Sequence, residues 1–284
     1  MIADVLREYD DADGVHERRP VPDLASLSTP ELLTVQDRRL KMEVLKVLYE
    51  RTGEADVRSL IAAAHSESLP MQGSAIRALA HQQRPEALEI AAEHIDDPAY
   101  RQLRGDIVRA LVLLPYDQTR SLAHEWLASS EGSRPGVAPR PRTAARIFAE
   151  RAEAEDVPTI REYLCRDTLD HDTSDLYVIC SLATALGRHP DHGPYPELTS
   201  IFYGIAYSYG RLHIARAMAE TDPAFATTYA VECLWDCQPQ IRELGATCVD
   251  IDNPVALARL HVIAADPAED EETQQTAQSL IDDQ

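Results

Sequence analysis

The segment Asp236-Cys-Gln-Pro239-Gln-Ile241-Arg242-Glu-Leu-Gly-Ala246 is the clearest copy of a unit that recurs along the chain. A turn aspartate is followed by four residues, and then an aliphatic–arginine pair opens a helix whose central apolar residue is Ala246. Working outward, the equivalent central positions are Ile76, Ile107, Ala145, Ile179, Ile214, Ala246 and Ala277, at spacings of 31, 38, 34, 35, 32 and 31 residues. Each marks the second helix of a pair, and apolar residues around it recur at the helical period rather than in strand alternation. A pair of this length cannot bury its apolar face alone, so successive pairs must stack and share a continuous core. The expected fold is therefore all-α, a superhelical α-solenoid of antiparallel helix pairs.

The one long spacing has a visible cause. Between Ile107 and Ala145 lies Ser130-Glu-Gly-Ser-Arg134-Pro-Gly-Val-Ala-Pro-Arg140-Pro-Arg142, a Pro/Gly-rich insertion read as a surface loop at about 130–142. At the N-terminal end, Thr29 is placed to cap a helix with Pro30 at its first position, running to about Arg51. Residues 1–28 read as an N-terminal helix and linker arm, since the stretch from Asp11 to Ser28 contains Gly14, Pro20 and Pro22 and few large apolar residues. The repeats then fill 29–284, with the acidic stretch from Asp266 to Gln284 as the polar cap of the stack.

The resemblance carried by Asp236 through Arg242, and by Asp97-Pro98-Ala-Tyr-Arg-Gln-Leu103-Arg104 with one extra residue, is to HEAT-type repeats. It spans roughly residues 30–284. Leu40-Lys41 follows Asp37 too closely, and Leu212-His213 and Leu182-Ala183 lack the arginine. The resemblance implies a scaffold whose second helices line a concave face used for protein binding.

Composition narrows the function. The 284 residues carry 48 acidic against 27 basic side chains, a net charge of −21, and 44% are hydrophobic. The hydrophobic share argues for a globular protein. The charge argues against a general nucleic-acid or anionic-membrane binder, which needs Lys and Arg to neutralise phosphates. Lys41 and Lys46 are the only lysines, so the basic side chains are otherwise arginines. Five cysteines, Cys165, Cys180, Cys233, Cys237 and Cys248, form an odd set read as free thiols in a reducing compartment. With no signal-peptide pattern in the first residues and no long apolar run, the expected location is the cytoplasm.

Four second helices carry an arginine that follows one apolar residue and precedes another by two: Ile76-Arg77-Ala-Leu79, Val108-Arg109-Ala-Leu111, Ala145-Arg146-Ile-Phe148 and Ala215-Arg216-Ala-Met218. In the remaining repeats the slot holds Thr184, Thr247 or Gln278. These arginines are expected to form a stripe beside the concave face, where guanidinium groups bind planar anions in bidentate fashion. The alternative is that each pairs with a neighbouring acid on a solvated face. Arg134, Arg140 and Arg142 in the insertion form a second basic group placed to reach a partner at the rim. Tyr195, Phe202, Tyr203, Tyr207 and Tyr209, with Tyr229 and Trp235 beyond, divide between core filling and a contact patch.

Catalytic and metal signals are weak. Cys165 through Asp175, with His189 and His192, lacks EF-hand or zinc spacing, and Cys233 and Cys237 have no second ligand pair nearby. No nucleophile, glycine-rich phosphate or zinc-protease motif occurs. No cofactor or metal is expected. The leading reading is a non-catalytic interaction scaffold with a protein or peptide partner on the concave face. Two alternatives are an alkylpurine DNA glycosylase of the HEAT-like kind, or another nucleic-acid binder, and an acidic immunity-type protein that neutralises a basic partner.

Overall fold

The computed structural model describes residues 23–35, 37, 39–129, 139–166 and 176–282. Among these, every regular element is helical and no strand occurs. The helices are α1 (Thr29–Thr34), α2 (Lys41–Glu50), α3 (Glu54–Ala64), α4 (Leu69–His81), α5 (Pro85–His94), α6 (Arg104–Leu113), α7 (Tyr116–Ala128) and α8 (Pro139–Arg151). They continue as α9 (Val157–Leu164), α10 (Leu176–Gly187), α11 (Pro196–Gly204), α12 (Ser208–Thr221), α13 (Tyr229–Cys233), α14 (Pro239–Cys248), α15 (Pro254–Ala265) and α16 (Glu271–Asp282). None is long and apolar enough to cross a membrane.

Proline sets many of the starts. Pro30, Pro70, Pro85, Pro158, Pro196, Pro239 and Pro254 each sit in the first two positions of a helix. There the missing N–H has no intrahelical partner to lose, and the fixed φ suits the helix.

The single helix expected from Thr29 to Arg51 is two. Val35 is extended after α1, and Asp37 accepts the backbone N–H of Arg39 at 2.9 Å through its side chain and that of Leu40 at 3.1 Å through its carbonyl. An aspartate satisfying nearby backbone donors competes with helix continuation. The cap also falls one residue earlier than expected. Ser28 and Glu31 form a capping box, which leaves the Thr29 hydroxyl to donate to Asp56 of α3 at 2.5 Å.

All seven apolar centres lie on the even-numbered helices α4 to α16, and all are completely buried. Burying each isoleucine contributes about 1.5–3 kcal/mol relative to exposure. The even-numbered helices contact one another in unbroken series, α2 on α4, α4 on α6 and so on to α14 on α16, while α1 touches α3 and α7 touches α9, which touches α11. One hydrophobic cluster runs from Leu24 to Ala277. Packing of α13 on α14 requires close approach at Gly245 of α14, where an added Cβ would stand 2.9 Å from the Ala230 carbonyl oxygen of α13.

The insertion is shorter than expected at its C-terminal end. Residues 130–138, Arg134 among them, lie outside the described residues, but Arg140 and Arg142 belong to the first turn of α8. Pro139 and Pro141 are compatible with a first turn, where no intrahelical N–H bond is needed.

Candidate functional site

Most of the described arginines are occupied by the architecture. Arg151 at the end of α8 donates to the Val112 carbonyl of α6 at 3.2 Å, and Arg188 just past α10 donates to the Ala149 carbonyl of α8 at 2.8 Å. Gln82 past α4 does the same for Leu48 and Arg51 at the end of α2. The last carbonyls of a helix lack intrahelical donors and carry partial negative charge, so a donor from the next even-numbered helix satisfies them.

A second set joins helix starts. Arg211 of α12 pairs with Asp236 at 2.6 Å, and Arg242 of α14 grips Glu269, its Nε reaching Oε2 at 2.7 Å. Each carboxylate lies in the turn leading to the next even-numbered helix. Burial pushes the Asp236 carboxyl up, but hydrogen bonds from Arg211 and the Gln238 backbone outweigh it and hold the group below its ordinary range. The hydrogen bond from Arg242 likewise lowers Glu269, against burial.

The four arginines of the expected stripe have different surroundings. Arg77 is largely buried, its side chain 11% exposed, with Asp106 at 3.6 Å and the Tyr49 hydroxyl at 3.4 Å. Arg109 is 65% exposed and stands 3.4 Å from Asp106, and Arg146 is 56% exposed and pairs with Glu150 one turn on at 2.6 Å. Arg216 is exposed and makes no ion pair among the described residues. Thr184, Thr247 and Gln278, which hold the slot elsewhere, are exposed too. Of the insertion arginines, Arg140 pairs with Asp96 at 2.5 Å and lies over Trp126 at 5.8 Å, and Arg142 lies over Tyr177 at 5.8 Å.

That last contact begins a row of side chains across three helices. Tyr177 opens α10 and is 56% exposed; its ring centre is 6.3 Å from that of Tyr209 at the start of α12, which is 6.3 Å from Tyr207. Tyr209 meets His213 edge-on at 4.8 Å, and His213 Nδ1 is 3.4 Å from the Thr184 hydroxyl of α10. Burial and the neighbouring Arg216 charge both push the His213 imidazole below its ordinary pKa. A row of tyrosines therefore runs beside the row that contains Arg109, Arg146, Thr184 and Arg216. Farther along the same series the charge reverses: a cleft of about 630 Å³ between α14 and α16 is lined by Glu243, Thr247, Glu272, Gln275, Thr276 and Ser279.

The expected aromatic cluster divides. Tyr195 and Phe202 are buried, Tyr207 and Tyr209 join the row just described, and Tyr203 and Tyr229 stand together with ring centres 6.3 Å apart. Trp126 is buried, whereas Trp235 is exposed with Arg259 over its ring at 4.5 Å.

Among the described residues, a dense polar cluster surrounds Asp156, which is completely buried. It accepts from Arg120 Nε at 2.8 Å and the Glu153 N–H at 2.8 Å, lies 2.7 Å from His124 Nε2, and also bonds the Tyr116 hydroxyl. Burial raises its pKa, and the bonds from Tyr116, Glu153, His124 and Arg120 together bring it below the ordinary value. Burial first, then the bond to Asp156, drives the Tyr116 phenol strongly upward. With Asp156 wholly buried and its oxygens saturated by donors, the cluster ties α7 to the turn before α9. Among the described residues no group of three or more His, Cys, Asp or Glu could hold a metal, and Asp167 through Asp175 lie outside those residues. Cys233 is buried, its thiol pushed up to about 12 chiefly by burial, while Cys237 is exposed.

Sequence reasoning did not single out Tyr177, His213 or Asp106. Tyr177 and Tyr209 each precede by seven residues a slot already recognised, Thr184 and Arg216, and that two-turn offset is the signal in the sequence.

No family model matches the chain, and no curated protein matches it. Among solved structures, that of human deoxyhypusine hydroxylase in complex with glycerol is similar at 18% identity over 99% of this chain and 97% of that one. Its TM-score of 0.27 is too low for the likeness to carry an argument.

Proposed function

We propose that the chain is a HEAT-like α-solenoid acting as a non-catalytic interaction scaffold, and that its even-numbered helices hold an anionic protein segment. The unbroken series of contacts among those helices supports the solenoid reading. The observation that carries the function is the state of the exposed arginines. Among the described residues, Arg109 and Arg146 form ion pairs only with neighbours on their own helix, and Arg216 forms none. The Arg146–Glu150 pair is exposed on both sides and contributes about 0–1 kcal/mol, and Asp106 keeps Arg77 and Lys41 when Arg109 turns away, so a ligand carboxylate displaces these contacts at little cost. Arg77, Arg120, Arg211 and Arg242, by contrast, reach carboxylates that are themselves largely buried, and Arg151 and Arg188 are engaged by helix-end carbonyls.

The test is fluorescence anisotropy of a labelled oligoglutamate at low salt, with the wild type and a triple variant Arg109→Glu, Arg146→Glu, Arg216→Glu. Binding that weakens with salt and disappears in the triple variant, with an unchanged thermal melt, is the expected result. Equal binding by both proteins would remove the row from the function.

A further inference from the structure

We infer that the segment held on this face is an acidic polyproline-II strand, with acids at positions 1, 4 and 10 and an uncharged residue at position 7. This rests on the anionic-partner reading above and specifies its ligand. The first argument is spacing. Packed helices lie about 8–10 Å apart, so a ligand crossing α6, α8, α10 and α12 must present one side chain to each helix at that interval. A polyproline-II strand has three residues per turn at about 3.1 Å each, so every third side chain returns to the same face after about 9.3 Å. A β-strand alternates faces every residue, and its same-face spacings of about 6.6 and 13 Å miss the interval. An α-helix returns nearly to the same face only after seven residues, about 10.5 Å, an overshoot that accumulates over three steps.

The second argument is independent of charge. Tyr177, Tyr209 and Tyr207 are exposed, with the rings of Tyr177 and Tyr207 each centred 6.3 Å from that of Tyr209. Such aromatic rows are surfaces onto which proline rings of a polyproline-II strand pack. The face also limits the ligand. Arg77 is largely buried and paired with Asp106 at one end, and Glu243 and Glu272 line the cleft beyond α12 at the other. The cationic stretch is thus four helices wide, with Thr184 in the α10 position requiring no charge opposite it.

The experiment compares labelled peptides of about ten residues: Glu-Pro-Pro-Glu-Pro-Pro-Gln-Pro-Pro-Glu, the same composition with its glutamates adjacent, and an alanine-rich helical peptide with heptad-spaced glutamates. The expected result is binding of the spaced proline peptide about tenfold tighter than either comparison. Thr184→Arg should then shift preference toward Glu in place of the Gln. Equal affinity for spaced and clustered peptides, or tighter binding of the helical one, would overturn this inference while leaving the anionic-partner reading in place. Binding of none of the three would overturn both.

Discussion

Asp106 of α6 reaches Arg77 of α4 at 3.6 Å, and its other carboxylate oxygen stands 3.7 Å from Lys41 of α2. One carboxylate therefore joins three successive even-numbered helices. Because Arg77 is nearly buried, Asp106→Ala strands a charge away from water and should cost about 1–3 kcal/mol. Arg109→Gln, which removes only the exposed partner of the same carboxylate, should change stability by less than about 0.5 kcal/mol. Urea titrations of the two variants test this. Equal losses would mean that Asp106 does not act through Arg77.

Gly245 gives a prediction opposite to helix propensity. In an exposed helix interior, Gly→Ala gains about 1 kcal/mol. Here the new Cβ would meet the Ala230 carbonyl oxygen at 2.9 Å and the Leu234 backbone nitrogen at 3.0 Å. Because these are backbone atoms, the helices must separate, and overpacking of this kind costs about 1–3 kcal/mol. Gly245→Ala should lower the melting temperature, whereas Gly105→Ala on α6, with only an arginine tip at 3.8 Å, should raise it.

Asp156 should make stability depend on pH. Its carboxyl is held below the ordinary value in the folded protein, so the unfolded chain binds its proton first as pH falls. The contribution is complete above the unfolded value of about 4 and is lost as pH drops through the lower folded value. Asp156→Ala leaves Arg120, His124 and Tyr116 without their shared acceptor and should cost about 3 kcal/mol at neutral pH. Denaturation midpoints between neutral pH and pH 3 should fall for the wild type with a component absent from Asp156→Ala. Parallel curves would remove the assignment.

The repeat was legible because it rests on buried apolar side chains at a fixed interval, and every centre so identified is inaccessible to solvent. The break between α1 and α2 was not, since Asp37 acts by a local hydrogen bond that leaves the apolar period undisturbed. The arginine slots were legible as positions but not as environments. Arg77 and Arg146 occupy the same place relative to Ile76 and Ala145, yet one is largely buried against Asp106 and the other is exposed. That difference comes from a neighbour 29 residues away in sequence. The tyrosine row became evident only when α10 and α12 were seen side by side.

His213 reports on the charge of the row. Burial and Arg216 both keep its imidazole neutral longer than usual as pH falls. The unfolded chain protonates first, so its contribution to stability is complete above about pH 6.5 and declines as pH falls from there toward the folded value. Removing one of the two causes in Arg216→Gln should raise the His213 pKa while burial keeps it below that of a free histidine. An NMR titration of the imidazole protons measures this directly. An acidic ligand on Arg216 should raise the same pKa in the wild type, because its carboxylate offsets the guanidinium charge and favours the imidazolium. By linkage, that ligand must bind more tightly as pH falls through the His213 transition. If the pKa is identical with and without saturating ligand, Arg216 and His213 lie outside the binding row.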